Sequence, residues 1–283
     1  MISENTKTEI QGLVDKFCNN YPSQAKAVDA LKNVSEATVI NIRKGKWDSI
    51  TDQMWLNVGR QVGYTTKGNW QIIKTEYYNR LTEMLDDAKD YSNVLAICSP
   101  AGSGKTLTAE DYVRNNQNVY HIVCAEYMNR KVFLGRILDA LGEDSSGSVS
   151  DMMDNIIRVL RKQEAPLIIL DEADKLTDSV LYFFITLYNM LQNKCGLVMM
   201  ATEYLAKRIN DGRRKNKKGY NELFSRLGRK FISIKGVSFA EVTELCKANG
   251  LNNPETIHKI FNEFEGDLRR VERVVHKHKR KVA

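Results

Sequence analysis

No stretch of this 283-residue chain approaches the ~18 consecutive apolar residues of a membrane span, and its start, MISENTKTEIQGLVDKF, lacks the basic opening and apolar run of a secretory signal. The expectation is a cytoplasmic protein with no membrane partner. Proline is scarce, at 4 residues, and neither a low-complexity tract nor an internal repeat is evident, which argues against disordered and fibrous architectures. The 5 cysteines (Cys18, Cys98, Cys124, Cys195, Cys246) are odd in number, far apart and mostly set in apolar runs, a pattern that suits reduced core thiols better than disulfides or a zinc site. With 42% hydrophobic and 27% charged residues, the chain has the composition of an ordinary globular protein, long enough for one large domain and a small one.

Acid is locally deficient. The net charge is +7, but from Lys207 to Lys235 eleven basic residues face only Asp211 and Glu222, and from Arg269 to Lys281 seven face only Glu272. Positive charge gathered into two segments of an otherwise acidic chain is the footprint of a polyanion binder. The densest run, read as a loop, holds Lys207, Arg208, Arg213, Arg214, Lys215, Lys217 and Lys218 against Asp211, and is expected to line a path for double-stranded DNA.

The first 63 residues read as short helices. Ile10, Leu13, Val14 and Phe17 share one face, Ser23 and Ser35 stand as N-caps, and a fourth helix is expected to carry Ile50, Met54, Leu56, Val58 and Val62. A tight turn after Lys32-Asn33 between two helices suits a helix-turn-helix, whose exposed face would offer Ser35, Glu36, Thr38, Asn41 and Arg43, with Thr38 and Asn41 as DNA contacts. Any small helical bundle shows the same periodicity, and the face has no arginine near its N-terminus to grip guanine. The expected organisation is residues 1–63 as this domain, 64–92 as a linker (GYTTKGN) and helix, 93–236 as a core, and 237–283 as a helical lid.

From Asn93 the pattern becomes α/β. The runs NVLAICS, VYHIVCAE, PLIILDE, GLVMMATE and KFISIKG are short and apolar, and helical segments separate them, which predicts a five-stranded parallel sheet covered on both faces. After the first run comes Ser99-Pro100-Ala101-Gly102-Ser103-Gly104-Lys105-Thr106, then Leu107 opening a helix. Amides of this loop and helix N-terminus would cradle the phosphates of ATP, Lys105 would neutralise them, and the Thr106 hydroxyl would hold Mg²⁺. Ser99 replaces the pattern's first glycine, but it lies before the amides that wrap the phosphates. About 65 residues downstream LIILDEAD ends a buried strand in two adjacent carboxylates, Asp171 to complete the metal shell and Glu172 to orient and deprotonate the attacking water.

These motifs resemble those of the AAA+ ATPases, with SPAGSGKT as Walker A and LIILDEAD as Walker B. The resemblance implies an AAA+ P-loop NTPase core. It places Thr202, after VMMA, at the sensor-1 position, where many members carry asparagine. It makes Arg226 in NELFSRLGRK, or in reserve Arg229, the finger reaching a neighbouring subunit, and it points to Arg269 in GDLRR as sensor 2 on the lid. Within the superfamily the order of domains, with GLVMMATE and LFSRLGRK, is similar to the target-selection ATPases of DNA transposition. That likeness implies a homo-oligomer or helical filament on DNA in the ATP state and a cognate transposase as partner. A replication initiator or helicase loader, and an ATP-controlled operator-binding regulator, are the alternatives.

Overall fold

The computed structural model describes residues 2–64 and 70–282, with side chains as far as residue 279. Most of the expected linker GYTTKGN lies outside the described residues. Strands β1 (Val94–Cys98), β2 (Val119–Val123), β3 (Leu167–Asp171), β4 (Gly196–Ala201) and β5 (Ile232–Ser233) form one sheet in the order β2-β3-β4-β1-β5. Every pairing is parallel. β3 and β4 are buried at every position because alternate residues feed different apolar layers. Ile168, Leu170 and Met199 join the larger core, whereas Ile169, Val198 and Met200 join the smaller one.

The larger layer is built by α7 (Arg130–Leu141), α8 (Val149–Leu160), α9 (Asp178–Leu191), α10 (Glu203–Arg214) and α11 (Tyr220–Arg226). The opposite layer comes from α5 (Glu76–Asp90), through Tyr77, Leu81 and Leu85, and α6 (Lys105–Asn115), through Ala109 and Tyr112. The run KFISIKG yields only two strand residues. It lies at the sheet edge, where Ile232 and Ser233 pair with Ile97 and Cys98 of β1.

Residues 2–64 carry four helices: α1 (Glu4–Asn19), α2 (Gln24–Asp29), α3 (Glu36–Arg43) and α4 (Asp52–Gln61). They enclose a cluster around Ile10, Val14, Val39, Ile42, Trp55 and Val58. Ser23 and Ser35 cap α2 and α3 by accepting from the amides of Lys26 and Thr38, and Asn33 turns the chain between them at φ 56°. Two expectations are corrected. Thr51 accepts from Met54 N–H and starts α4 there, so Ile50 packs from the preceding loop. Arg43 does not extend from an exposed face; it pairs with Asp15 at 2.8 Å and donates to Gln24 at 2.7 Å.

This bundle is docked on the core. Asn20 Nδ2 donates to the Val113 carbonyl at 2.7 Å, Tyr21 to the Ala140 carbonyl at 3.1 Å, and Lys26 pairs with Glu143 at 2.8 Å. At the other end α12 (Phe239–Ala248), α13 (Pro254–Glu263) and α14 (Leu268–Val282) enclose Val242, Leu245, Ile260, Val271 and Val275, with Trp70 and Ile73 packed against them. Asn249 holds Gln71 by both backbone groups, at 2.9 and 3.0 Å. No helix among the described residues is long and apolar enough to cross a membrane.

Candidate nucleotide site and basic surface

The strand order sets the site. β4 separates β1, which leads into the phosphate loop, from β3, which ends in Asp171 and Glu172, so all three open at one carboxyl edge of the sheet. Gly102 and Gly104 take φ of 76° and 99°, the left-handed region that glycine enters without strain. Gly104 stands at the N-cap of α6 with no side-chain cap, which leaves the first-turn amides and the positive end of the helix dipole to an anion. Lys105 is buried, its ammonium donating to the carbonyls of Ser99 and Pro100 at 2.8 Å each. Burial lowers its pKa, and Arg269 acts in the same direction, while Asp171 and Asp174 oppose them. Arg269, exposed, follows Leu268, whose N–H donates to the Gly102 carbonyl of the loop.

Thr106 Oγ1 donates to Asp171 Oδ2 at 2.6 Å, and Glu172 N–H donates to Asp171 Oδ1 at 2.8 Å. His121 Nε2 on β2 lies 3.4 Å from the same Oδ2. Burial works to lift the Asp171 carboxyl, but the hydrogen bonds from His121, Thr106 and Glu172 outweigh it and hold the pKa below the ordinary value. A hydroxyl and an ionised carboxylate in contact make an oxygen donor set that suits a hard divalent cation such as Mg²⁺, with phosphate oxygens and water as its other ligands. The uncapped helix start and this pair fit a magnesium nucleotide.

Glu172 has left-handed φ (55°) and heads a 3₁₀ turn over Ala173–Lys175; its carboxylate accepts from Lys175 at 2.6 Å, which raises the lysine's pKa. Thr202, at the end of β4, donates to Asp174 Oδ2 at 2.7 Å and accepts from Tyr204 N–H as cap of α10. The lid meets the loop directly. Leu268 N–H donates to the Gly102 carbonyl at 2.9 Å, and a side chain at Gly102 would overlap the Asp267 carboxylate. Pro100, Ala101 and Leu107 form the exposed or partly exposed rim, and Ser103 is buried beneath it.

Several contacts had no signal in the sequence. Tyr77 and Asp267 meet the loop, His121 meets Asp171 and Asp174 meets Thr202, each only through the fold. Ser99 also finds its reason here: its hydroxyl lies 2.7 Å from the Tyr77 phenol, in full burial.

The expected basic loop is corrected. Residues 203–214 are helix α10, because Leu205, Ile209 and Gly212 recur at helical spacing and are buried, and only Lys215 to Lys218 lie beyond it. Its cations divide into two groups. Lys207, Arg214, Lys215, Lys217 and Lys218 are exposed. Arg208 is drawn inward to Asp178, while Arg213 stacks on Phe224, 3.6 Å from its ring centre. On α11, Arg226 pairs with Glu222 at 3.6 Å and covers the Tyr188 ring at 5.1 Å; Arg229 is exposed in the turn that follows. In the helical bundle, Thr38 shares a hydrogen bond with Ser35, and Asn41 reaches Ser49 at 3.4 Å.

Residues 88–209 match the family described as AAA domain. The chain is 25% identical over 197 residues to the ATP-dependent target DNA activator B of Escherichia phage D108, covering 67% of this chain and 61% of that protein. It is 24% identical over 191 residues to the protein of the same name in Escherichia phage Mu, covering 66% and 59%. The match thus spans about three fifths of those relatives' length. Among solved structures, Cdc6p from Pyrobaculum aerophilum superposes with a TM-score of 0.51 at 15% identity over 76% of this chain and 65% of its own. NtrX from Brucella abortus in complex with ATP gives 0.51 at 12% identity over 87% and 59%. At such identities the structural matches speak for the fold alone. Sheet order, phosphate loop and family match together show an AAA domain with the AAA+ P-loop fold, and the chain is similar in sequence to the target DNA activators of the two phages.

Proposed function

We propose that the chain is an ATP-dependent, sequence-nonspecific DNA-binding ATPase that assembles on duplex DNA and presents it as target to a transposase. The observation that carries the DNA reading is the exposed group Lys207, Arg214, Lys215, Lys217 and Lys218, on and just beyond a helix that Thr202 caps beside the nucleotide site. The names of the two phage relatives support the transposition setting. In this reading Lys105 and the α6 amides bind the β- and γ-phosphates, and Arg269 approaches them from the lid. Thr106 and Asp171 would hold Mg²⁺, which supplies charge neutralisation at the phosphates. Glu172 orients a water and takes its proton as the water oxygen attacks the γ-phosphorus and the bond to the bridging oxygen breaks. Thr202 fixes Asp174 beside that carboxylate. Arg226 leaves Glu222 and Tyr188 to reach the γ-phosphate of a neighbouring subunit in an oligomer or filament.

Replacing Lys207, Lys215 and Lys217 together by alanine tests the DNA reading. Each phosphate contact contributes ~0.9 to the slope of log affinity against log salt, so the slope should flatten by up to about 2.7 and affinity for any duplex should fall. An unchanged slope and affinity would remove α10 from the DNA path.

A further inference from the structure

Arg208 follows Lys207 on α10, yet its side chain is only 16% exposed. One guanidinium nitrogen donates to two backbone carbonyls, of Asp174 at 3.3 Å and of Leu176 at 2.7 Å, and the other pairs with the Asp178 carboxylate. Asp178 also accepts from the Tyr220 phenol at 2.8 Å. These partners lie in the segment that runs from Glu172 through the 3₁₀ turn into α9, and Thr202 holds the same segment from its other side through Asp174. A planar fork of donors meets two carbonyls and a carboxylate at once, which a lysine ammonium on a flexible stem cannot reproduce.

The clamp has a second face. Arg208, Asp178 and Tyr220 also line a pocket of about 250 Å³ with Lys207, Lys215 and Lys217. A phosphate entering it would place negative charge beside Asp178 and offer Arg208 a competing acceptor. Its first effect would fall on the contacts that fix the segment behind Glu172.

We infer that Arg208 is a positioning residue for ATP hydrolysis: it holds the segment behind Glu172 and passes to it the occupancy of the α10 pocket by a phosphate of bound duplex. The inference rests on the proposed roles of Glu172 and of the α10 surface. Its test compares kcat and KM for ATP, with and without duplex DNA, in the wild type, Arg208→Gln and Arg208→Lys, with Glu172→Gln as a control on the site. Binding of labelled duplex and thermal unfolding are followed in parallel. Arg208→Gln is expected to keep KM within about twofold, to lose at least about tenfold in kcat, and to lose the increase that duplex brings while still binding it; misplacing catalytic groups by ~1 Å has such consequences. Arg208→Lys, which keeps the Asp178 pair but not both carbonyls, should recover part of kcat. Wild-type kcat and wild-type stimulation in folded Arg208→Gln, or a loss confined to KM, would overturn the inference. If Arg208→Gln does not fold, Arg208→Lys decides: reduced kcat at unchanged KM supports the clamp, and full kcat refutes it. Glu172→Gln turning over at the wild-type rate would instead refute the site assignment, and a wild type that binds no duplex would refute the DNA reading.

Discussion

The Ser99–Tyr77 pair gives the most direct quantitative test of how the phosphate loop is held. Tyr77 is 2% exposed and Ser99 is fully buried, and their hydroxyls lie 2.7 Å apart. Replacing Ser99 by alanine deprives the phenol of this partner, and a buried polar group left unpaired costs about 1–3 kcal/mol. Tyr77→Phe strands the Ser99 hydroxyl to similar effect. The double change removes both polar groups and should cost less than the two single changes added, by about 0.5–1.5 kcal/mol of coupling. The assay is a double-mutant cycle by denaturant unfolding of the nucleotide-free protein, checked by a Tm shift of roughly 2–4 °C per kcal/mol for a chain of this size. ATP affinity should stay within about twofold, because Lys105 is held by the Ser99 carbonyl and not by its side chain. Additivity within ~0.3 kcal/mol would show that the two hydroxyls do not support each other. A large gain in ATP affinity in Ser99→Ala would show that the serine obstructs the loop.

Two further outcomes follow from the site. Lys105→Ala should abolish ATP binding, whereas Glu172→Gln should bind ATP and stop hydrolysis, so that the mutant stays on duplex longer than wild type; filter binding and turnover assays on the same preparations separate the two. Arg226→Ala should retain ATP binding but lose on the order of 10³-fold in turnover, the scale of an arginine finger, and wild-type activity per subunit should rise more steeply than linearly with concentration. Full activity in a demonstrably monomeric sample would rule the shared site out.

The parts of this architecture legible in the sequence are those whose physics is local. LIIL and LVMMA are apolar at every position, as a strand covered on both faces requires, and both are buried throughout. Ser23 and Ser35 cap helices as their spacing indicates because a cap acts within three residues. The errors share a cause. The stretch from Lys207 to Lys218 reads as a loop because seven cations mask the helical spacing of Leu205, Ile209 and Gly212. Arg208 and Arg43 look like surface cations until Asp178 and Asp15, tens of residues away, take their charge. Tyr77 and Asp267 act on the phosphate loop from 22 and 165 residues away, and no local pattern encodes such a meeting.

That convergence gives the loop its mechanical setting. α6 begins at the loop and carries its intrahelical hydrogen bonds over eleven residues, so it behaves as a rod of about 16 Å. At its near end the lid donates Leu268 N–H to the Gly102 carbonyl, and near its far end the N-terminal bundle donates Asn20 Nδ2 to the Val113 carbonyl. Both acceptors are backbone carbonyls, fixed to the loop and the rod; the Leu268 donor is backbone too, whereas Asn20 reaches its carbonyl through a side chain. A phosphate that tightens the loop must therefore carry the lid with it or break the Leu268 bond, and must carry the bundle with α6 or strain the Asn20 bond. Among the bundle's further anchors, Gln117 in the turn after α6 donates to the Asn19 carbonyl at 3.0 Å, whereas Tyr21 on Ala140 and Lys26 on Glu143 lie on and just beyond α7, which does not begin at the loop. Movement of α6 relative to α7 is consequently a displacement that the docked bundle resists at both feet.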